Sequence, residues 1–274
     1  MIGSDFRKAL KSGQRVYGTM TVSDAARWPD MLASLGLDFI FIDTEHIAID
    51  RTALSWMCQI YTAHGMAPIV RIPSPDPYVA TVASDAGAQG IIAPYIETVE
   101  QVQALRGAVK YRPLKGKRLE RLLEGAPAEP RLAEYLENHN QDHTLIINIE
   151  SVTAWENLDD LLAVPDLDAI LIGPHDLSTT MGIPEDYANP EFDRAVIDIL
   201  SRARKAGLGA GIHVTTGDGL NTEDHIRWIE AGANLIVHRA DVIAAQHLLS
   251  RELKQIRDAV GDAAVGDSEV DLNI

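Results

Sequence analysis

Several short apolar segments of this sequence end in side chains that can titrate or bind a ligand. In FIDTEH, Asp43, Glu45 and His46 directly follow an apolar run, and Arg71 lies within IVRIPS. The other segments of this kind end in Tyr95, in Glu150, in Gly173 to Asp176, in His213 with Thr215 and Thr216, and in His238 to Asp241. If the runs are parallel strands of a barrel, their carboxyl ends share one rim, where barrel enzymes place their active sites. The pattern therefore predicts one polar site built from most of the strands.

Glu150 and Asp176 are the candidate metal ligands. They follow consecutive apolar runs, so we expect their carboxylates to lie side by side, which is unfavourable unless a cation lies between them. Carboxylates with water suit Mg²⁺ or Mn²⁺, and Co²⁺ stays open because the general affinity order favours later ions. The alternative is a pair of solvated acids at strand ends. Glu45 is a candidate third, outer carboxylate.

Arg71, His46 and Asp43 are the candidates for substrate binding and proton transfer. A guanidinium at a strand end can clamp a carboxylate through two parallel hydrogen bonds. The alternative for Arg71 is a structural ion pair with an acid such as Glu45. His46 follows Asp43 by three positions, and a carboxylate that holds one imidazole nitrogen leaves the other to exchange a proton. The alternative for His46 is a histidine that merely follows a strand.

Eight short apolar runs, often β-branched, are the predicted strands. Each is too short for a helix and apolar on both faces, which is typical of a parallel strand covered on both sides. They are residues 15–21, 38–43, 67–72, 90–96, 144–150, 169–174, 208–214 and 234–239. Segments with helical spacing alternate with them, and several end in Gly just before the next strand. This alternation predicts an α/β fold, a (β/α)8 TIM barrel with parallel strands.

The alternative fold is a doubly wound open sheet, which usually has fewer strands and a Gly-rich first turn. No GxGxxG follows the first run, which favours the barrel. We predict a single barrel domain over residues 1–260, including a long last helix at 241–260, and an acidic disordered tail over 261–274. The basic run at 110–123 is expected to be a solvated loop and helix face.

Composition and charge exclude several classes of function. The chain of 274 residues has a formal net charge of −16, and such a surface repels nucleic acid and anionic lipid. Cys58 is the single cysteine, which excludes an intramolecular disulfide and a zinc cluster of cysteines. No apolar run has the length of a membrane span, and the first residues are polar and unlike a signal peptide. We therefore expect a cytoplasmic protein that acts on small molecules, with no nucleic-acid or membrane partner.

Four segments together resemble the HpcH/HpaI family of class II, metal-dependent pyruvate aldolases. They are FIDTEH, IVRIP, AGAQGIIAPYIETVEQ and INIESVTAWENLDDLLAVPDLDAILIGPHDLSTTMG. The likeness runs in order from about residue 15 to 240, and it is weaker between residues 112 and 143. The resemblance implies a (β/α)8 barrel. It also implies a homohexamer, a trimer of dimers whose subunits exchange the last helix.

The resemblance also implies roles for particular residues. Glu150 and Asp176 would hold a divalent metal ion, and Arg71 would bind the carboxylate of pyruvate. His46 and Asp43 would form a dyad that acts through a metal-bound water. The implied reaction is cleavage or formation of a 4-hydroxy-2-oxo acid, with pyruvate and an aldehyde as the other side, through a metal-stabilised enolate. No predicted strand end carries a lysine, which argues against a Schiff-base aldolase.

Other positions follow from the same resemblance. Asp85, which precedes AGAQ, would complete the active site of a neighbouring subunit. The backbone around Gly173, Pro174 and His175 would face the pyruvate.

The sequence departs from the family pattern at four places. LKGKRLERLLEG replaces a Gly/Arg-rich segment after the fourth strand, and His175 stands where a small or apolar residue is usual. His213 stands where an apolar residue often limits the aldehyde, and His238 and Arg239 replace a small pair. Added cationic groups at one rim predict a more acidic or phosphorylated acceptor, with His175, His213 and Arg239 among its binding residues.

Two other functions stay open at this point. One is a lyase acting on a CoA thioester, similar to the citrate lyase β-subunit and to malyl-CoA lyases. The negative net charge disfavours the nucleotide-binding surface that such a substrate needs. The other is a barrel without turnover that serves as a binding or assembly subunit. The joint presence of the five main site residues disfavours it: Asp43, His46, Arg71, Glu150 and Asp176.

Overall fold

The computed structural model describes residues 1–214 and 220–262. Within them, eight parallel strands close into a barrel in chain order, with β8 pairing to β1. The strands are β1 Val16–Thr21, β2 Phe39–Asp43, β3 Ala67–Arg71, β4 Gly90–Ala93, β5 Thr144–Ile149, β6 Ala169–Ile172, β7 Gly209–Val214 and β8 Leu235–Ala240. Each predicted run overlaps one of them. The (β/α)8 TIM barrel is confirmed.

Helices connect the strands and surround the barrel. They are α1 Gly3–Ser12, α2 Trp28–Ala33, α3 Arg51–Ala63, α4 Pro77–Asp85, α5 Val99–Lys110, α6 Gly116–Leu123, α7 Pro130–Asn140, α8 Val152–Glu156, α9 Leu158–Leu162, α10 Pro174–Thr180, α11 Pro190–Lys205, α12 Thr222–Glu230 and α13 Asp241–Val260. One helix expected after β5 is two short ones, because Asn157 leaves the helical conformation (φ −85°, ψ 5°) between α8 and α9. Lys110, expected in a solvated basic run, is buried because its ammonium binds Asp168.

Side chains that point into the barrel form one apolar layer, and those that point outward pack beneath the helices. Phe6 and Leu10 of α1 belong to the inner layer, so α1 closes the amino-terminal end of the barrel. Gly209 of β7 makes room for this helix, because a Cβ there would lie 2.9 Å from the Leu10 side chain. The other end, where the strands finish, is left for the polar groups.

The carboxyl-terminal part of the chain is only partly described. The long last helix predicted at 241–260 is confirmed as α13, Asp241–Val260, and Gly261 ends it with a left-handed φ of 78°. Thr215 and Thr216 of the predicted rim, and residues 263–274 of the predicted tail, lie outside the described residues. Among the described helices, none combines the length and apolar character needed to cross a bilayer.

Candidate active site

The neighbouring strands β2 and β3 hold a buried ion pair at the carboxyl-terminal rim. In their parallel register Asp43 lies beside Arg71, the last residue of its strand. Arg71 donates from Nε to Asp43 Oδ1 over 2.8 Å and from Nη2 to Oδ2 over 2.7 Å. Burial alone would raise the pKa of Asp43, but the hydrogen bonds and charge of Arg71 outweigh burial and lower that pKa. Asp43 is therefore ionised and fixes the plane of the guanidinium.

Glu45 forms a second contact with the same guanidinium. Its Oε2 lies 3.2 Å from Arg71 Nε and 3.6 Å from His46 Nε2. Burial raises the pKa of Glu45 to about 7; Arg71 opposes the shift and surrounding carboxylates add to it. The predicted dyad partner of His46, Asp43, is hydrogen-bonded to Arg71 and to the backbone N–H of Glu45. The structure thus places Glu45, rather than Asp43, in contact with the imidazole.

Glu150 directly follows β5, and both of its carboxylate oxygens accept hydrogen bonds. The backbone N–H of Tyr95 donates to Oε1 over 2.6 Å, and Asn148 Nδ2 donates to Oε2 over 2.9 Å. Burial raises the pKa of Glu150 to about 7; the bond from Tyr95 opposes this, and the charge of Asp176 adds to it. The charge of Arg71 also lowers this pKa, but it does not outweigh burial, so the carboxyl group is only partly ionised at neutral pH.

Tyr95 and Asn148 position Glu150, and sequence reasoning missed both roles. Tyr95 has a left-handed φ of 48°, which is costly for a residue with a side chain and is typical of backbone held at functional sites. The feature of the sequence that could have indicated the role of Asn148 is its polar amide within the otherwise apolar run TLIINI. The role of Tyr95 had no signal, because its backbone N–H makes the contact.

Gly173 joins β6 to α10 and lies against the same carboxylate. A Cβ built at Gly173 would come within 2.2 Å of Glu150 Oε2 and 3.0 Å of Glu150 Cβ. Glycine is therefore needed here for close approach and not for an unusual backbone angle. Pro174 begins α10, whose first turn carries Asp176. The turn from β6 into α10 thus brings the two predicted metal ligands to the same part of the rim.

The carboxyl groups of Glu45, Glu150 and Asp176 form one cluster, which we call the acidic cluster. Their charges interact: Glu150 and Asp176 both raise the pKa of Glu45. Within residues 1–214 and 220–262, no three His, Cys, Asp or Glu side chains form a ready-made metal site. The donors nevertheless fit a hard divalent cation, because Mg²⁺ commonly takes one or two carboxylates and keeps several water or substrate oxygens. The cation would also relieve the repulsion within the cluster.

His213 of β7 points into the barrel next to this rim. Its ring is 6.0 Å from that of Phe41 and nearly perpendicular to it, and the residue is 7% exposed. Neither ring nitrogen has a hydrogen-bond partner among the described residues. Burial lowers the pKa of His213 to about 3, and the charge of Arg71 adds to this. The imidazole is therefore neutral, with one donor and one acceptor left for a ligand.

The two predicted site residues of β8, His238 and Arg239, have different surroundings. Arg239 is half-buried with a left-handed φ of 61°, and its carbonyl accepts a hydrogen bond from Thr19 Oγ1 over 2.9 Å. His238 lies one position earlier and points outward, where its ring is 5.0 Å from that of His225 in α12. His238 therefore packs between barrel and helix and not at the predicted rim.

Two further predicted residues are exposed. His175 lies in the first turn of α10, with Nδ1 3.3 Å from Glu185 Oε1. Asp85 ends α4, which runs back from the rim, and it forms an ion pair with Arg112. Asp85 is therefore not brought to the acidic cluster of its own chain.

A closed parallel barrel with buried titratable groups at the carboxyl ends of its strands is typical of (β/α)8-barrel enzymes. In this chain those groups are the acidic cluster and the buried ion pair of Arg71 with Asp43. The chain belongs to the HpcH/HpaI aldolase/citrate lyase family, whose model matches residues 22–237.

Three individual proteins illustrate the likeness. The 2-keto-3-deoxy-L-rhamnonate aldolase of Klebsiella pneumoniae is 27% identical over 257 residues, which cover 94% of both chains. The 2-dehydro-3,6-dideoxy-6-sulfogluconate aldolase of Pseudomonas putida is 32% identical over 203 residues, covering 74% of this chain and 79% of that one. The crystal structure of an HpcH/HpaI aldolase from Desulfitobacterium hafniense superposes with a TM-score of 0.78 at 25% identity, covering 92% and 96% of the two chains. The chain is accordingly an aldolase-type carbon–carbon lyase that acts on small molecules.

Proposed function

We propose that this enzyme cleaves a 4-hydroxy-2-oxo acid into pyruvate and an aldehyde, or forms the acid from these two compounds. The observation that carries the proposal is the acidic cluster next to the buried Arg71. A 2-oxo acid needs a cation for its carboxylate and stabilisation of negative charge on its keto oxygen when the C–C bond breaks. The guanidinium of Arg71 would meet the first need, and a cation held by the carboxylates of Glu150 and Asp176 would meet the second. The two aldolases described above are named for 2-keto-3-deoxy or 2-dehydro-3-deoxy acids, which supports this substrate class.

Glu150 and Asp176 would hold the divalent metal ion, Mg²⁺ or Mn²⁺ by ligand type, with Co²⁺ as the third candidate. When bound, such an ion supplies Lewis-acid stabilisation of negative charge. The chain's own part is to aim the two carboxylates. Asn148 and the Tyr95 backbone N–H hold the plane of Glu150, and α10 presents Asp176 from its first turn.

Arg71 would bind the substrate carboxylate. The Nε and Nη2 atoms of Arg71 each donate a hydrogen bond to Asp43. The Nη1 side is left for a ligand, since no hydrogen bond to Nη1 is formed within the described part of the chain. Asp43 thereby acts as a positioning residue, because it holds the guanidinium plane in place before a ligand arrives.

His46 would move the proton of the aldol hydroxyl group. It is exposed at the rim, and its contact with Glu45 couples the imidazole to the acidic cluster. A neighbouring carboxylate favours the imidazole as a proton acceptor. Asp43, predicted as its dyad partner, would act on His46 through its charge, which interacts with that of the imidazole. Asp85 would serve the site of a neighbouring subunit.

The acceptor aldehyde would meet His213, Arg239 and His175, with the backbone of Gly173 and Pro174 facing the pyruvate part. His213 has an unused donor and acceptor inside the barrel mouth. The relative from Pseudomonas putida is named for a sulfonated sugar acid. This supports an acceptor that carries an anionic or strongly polar group.

A pyruvate-release assay tests the proposed function. A panel of 4-hydroxy-2-oxo acids, with neutral and anionic ends, is offered to the enzyme as purified, after chelator treatment, and after return of Mg²⁺, Mn²⁺ or Co²⁺. We expect turnover to fall by about 10³-fold or more without metal and to return with it. Full activity after complete metal removal would refute the metal-dependent reaction.

Replacing Gly173 by Ala is expected to lower kcat/KM by roughly tenfold or more, because the new Cβ would displace the Glu150 carboxylate. Gly107→Ala in α5 is the matched control, since its Cβ would meet only movable Leu119 and Leu123 side chains at 3.1 and 3.2 Å. Both variants are measured by pyruvate release, with circular dichroism as the check on folding. Equal activity of the two variants would contradict the packing argument.

We also propose that α13 packs against another subunit, in a trimer of dimers that exchange this helix. Four large apolar residues repeat at intervals of four, three and four positions and so share one face. They are Leu249, Leu253, Ile256 and Val260, all between 46% and 66% exposed. A stripe of this kind on a single chain is typical of an interface.

Leu253→Asp is expected to shift the protein to a smaller species in light scattering coupled to size-exclusion chromatography. A charge placed in an apolar interface must lose its hydration without gaining a partner. Gln255→Asp adds the same charge on the opposite face of α13 and is expected to leave the molar mass unchanged. A wild-type protein that is already monomeric at assay concentration would refute the exchange.

A further inference from the structure

The end of the barrel opposite to the active site contains a cavity of ≈ 790 Å³. It lies between α1, which closes that end, and α5, α6 and α7, which connect β4 to β5. Leu122, Ala133 and Leu136 form part of its apolar wall. A volume of this size is within the range of small-molecule sites. The proposed aldolase reaction makes no use of it.

Four cationic side chains line this cavity in a chain whose net charge is −16. Arg7, Lys8 and Lys11 come from α1, where positions 7 and 11 are one turn apart, and Lys110 comes from the end of α5. Lys8 is exposed and forms no ion pair within the described residues. The cations therefore gather on one wall and are not scattered over the surface.

Three of the four cations converge on one fully buried carboxylate, that of Asp168. Arg7 Nε lies 2.8 Å and Lys11 Nζ 3.3 Å from its Oδ1, and Lys110 binds its Oδ2. Burial lowers the pKa of Lys110 to about 8; Asp168 opposes the shift, and the charges of Arg7 and Lys11 add to it. One carboxylate is thus shared by three cations that repel one another.

The acidic side chains in the cavity wall do not neutralise this excess of positive charge. Asp166 is bound to Arg106 at 2.9 Å, which cancels its charge, and Glu137 is a single further carboxylate. Arg7 and Lys11 both bind Asp168 and so help to anchor α1 to the barrel, but this anchor does not account for Lys8. The cationic side chains of this wall therefore outnumber the carboxylates that could neutralise them.

We propose that this cavity binds a compact small-molecule anion with two or more negative charges, a phosphate or a di- or tricarboxylate. Lys8 and Lys11, with Arg7 between them and the barrel, would hold the charged groups, and the apolar wall would accept a carbon skeleton. Lys110 would add its positive charge from behind, because its ammonium is bound to Asp168 and to the His143 carbonyl. Binding here is independent of the metal and of the aldol reaction, because the site lies at the other end of the barrel.

Isothermal titration of the metal-free protein tests the proposal, with inorganic phosphate and succinate as separate probes at about 0.15 M sodium chloride. Saturable binding of one anion per chain is expected for at least one probe, and which probe binds assigns the class. Lys8→Glu and Lys11→Glu are each expected to weaken it about tenfold or more, since each reverses a charge at the wall. Arg27→Glu makes the same charge change between β1 and α2, at the opposite end, and is expected to bind normally.

Absence of saturable binding by both probes would overturn the proposal, as would equal affinity in Lys8→Glu and wild type. Lys8 is exposed and has no acidic partner within the described residues, so its replacement leaves the anchor of α1 intact. Circular dichroism checks that Lys11→Glu still folds. Because the readout is binding to metal-free protein, failure of the aldolase proposal would not change this result, nor would failure here affect that proposal.

Discussion

Glu150→Gln lowers kcat/KM for pyruvate release by roughly 10³-fold or more, while the protein folds normally. The reason is charge: the amide keeps the size of the carboxylate but cannot neutralise a divalent cation, and stabilisation of developing negative charge is the largest contribution in reactions of this kind. Folding is preserved because a glutamine oxygen still accepts the hydrogen bond from the Tyr95 backbone N–H. Asn148 can turn its amide, whose Oδ1 has no partner within the described residues, to accept from the new NH2 group.

Glu100→Gln in the first turn of α5 is the matched control, since it makes the same change at an exposed position. The measurement is steady-state pyruvate release with saturating metal, together with a metal titration followed by calorimetry. We expect the control to keep wild-type kinetics and the Glu150 variant to lose metal affinity as well as turnover. Normal turnover of the Glu150 variant would remove the central support for the proposed function.

In metal-free protein, the contribution of Glu150 to the free energy of unfolding falls as the pH rises from about 5 to 8, and added divalent metal restores that contribution at pH 8. The folded-state pKa of Glu150 is raised from 4.5 to about 7. Between these values the folded protein binds more protons than the unfolded chain, so the free energy of unfolding falls with rising pH. A shift of this size corresponds to about 3 kcal/mol. The loss is complete only above the folded pKa.

The expected contribution of Glu150 to the melting temperature is on the order of 5 to 10 °C for a chain of this length, and it is obtained as the difference between wild type and Glu150→Gln. Thermal melts at several pH values, with and without Mg²⁺, measure it. Glu150→Gln removes the titrating group, so the difference in melting temperature between this variant and wild type should grow with pH in the absence of metal. Glu100→Gln should follow wild type at every pH. A difference that stays constant from pH 5 to pH 8 would show that Glu150 titrates normally.

The strands, and the position of the candidate site at their carboxyl ends, could be predicted from the sequence because they depend on local patterns. Short β-branched runs apolar on both faces predict buried parallel strands, and all eight runs correspond to strands of the barrel. Once the strands are parallel, their carboxyl ends share one rim. This placed Glu150 and the start of the segment with Asp176 at the same rim, while the turn from β6 into α10 set the final position of Asp176.

Other features depended on contacts between distant segments. The register of β2 and β3 places Asp43 beside Arg71, so these two side chains form an ion pair. The carboxylate in contact with His46 is therefore that of Glu45. The position of His238 at a strand end did not reveal that its ring faces α12. The position of Lys110 in a basic run did not reveal that it is buried against Asp168.

The sequence by itself determined the barrel, the rim and the types of group that the rim carries, because hydrophobic periodicity and strand direction are local properties. Only the tertiary structure decided which carboxylate faces which cation, and that three cationic side chains from α1 and α5 meet at Asp168. The physical reason is that electrostatic and hydrogen-bond partners are chosen by distance in space, and residues far apart in the chain come within a few ångströms only after the barrel has closed.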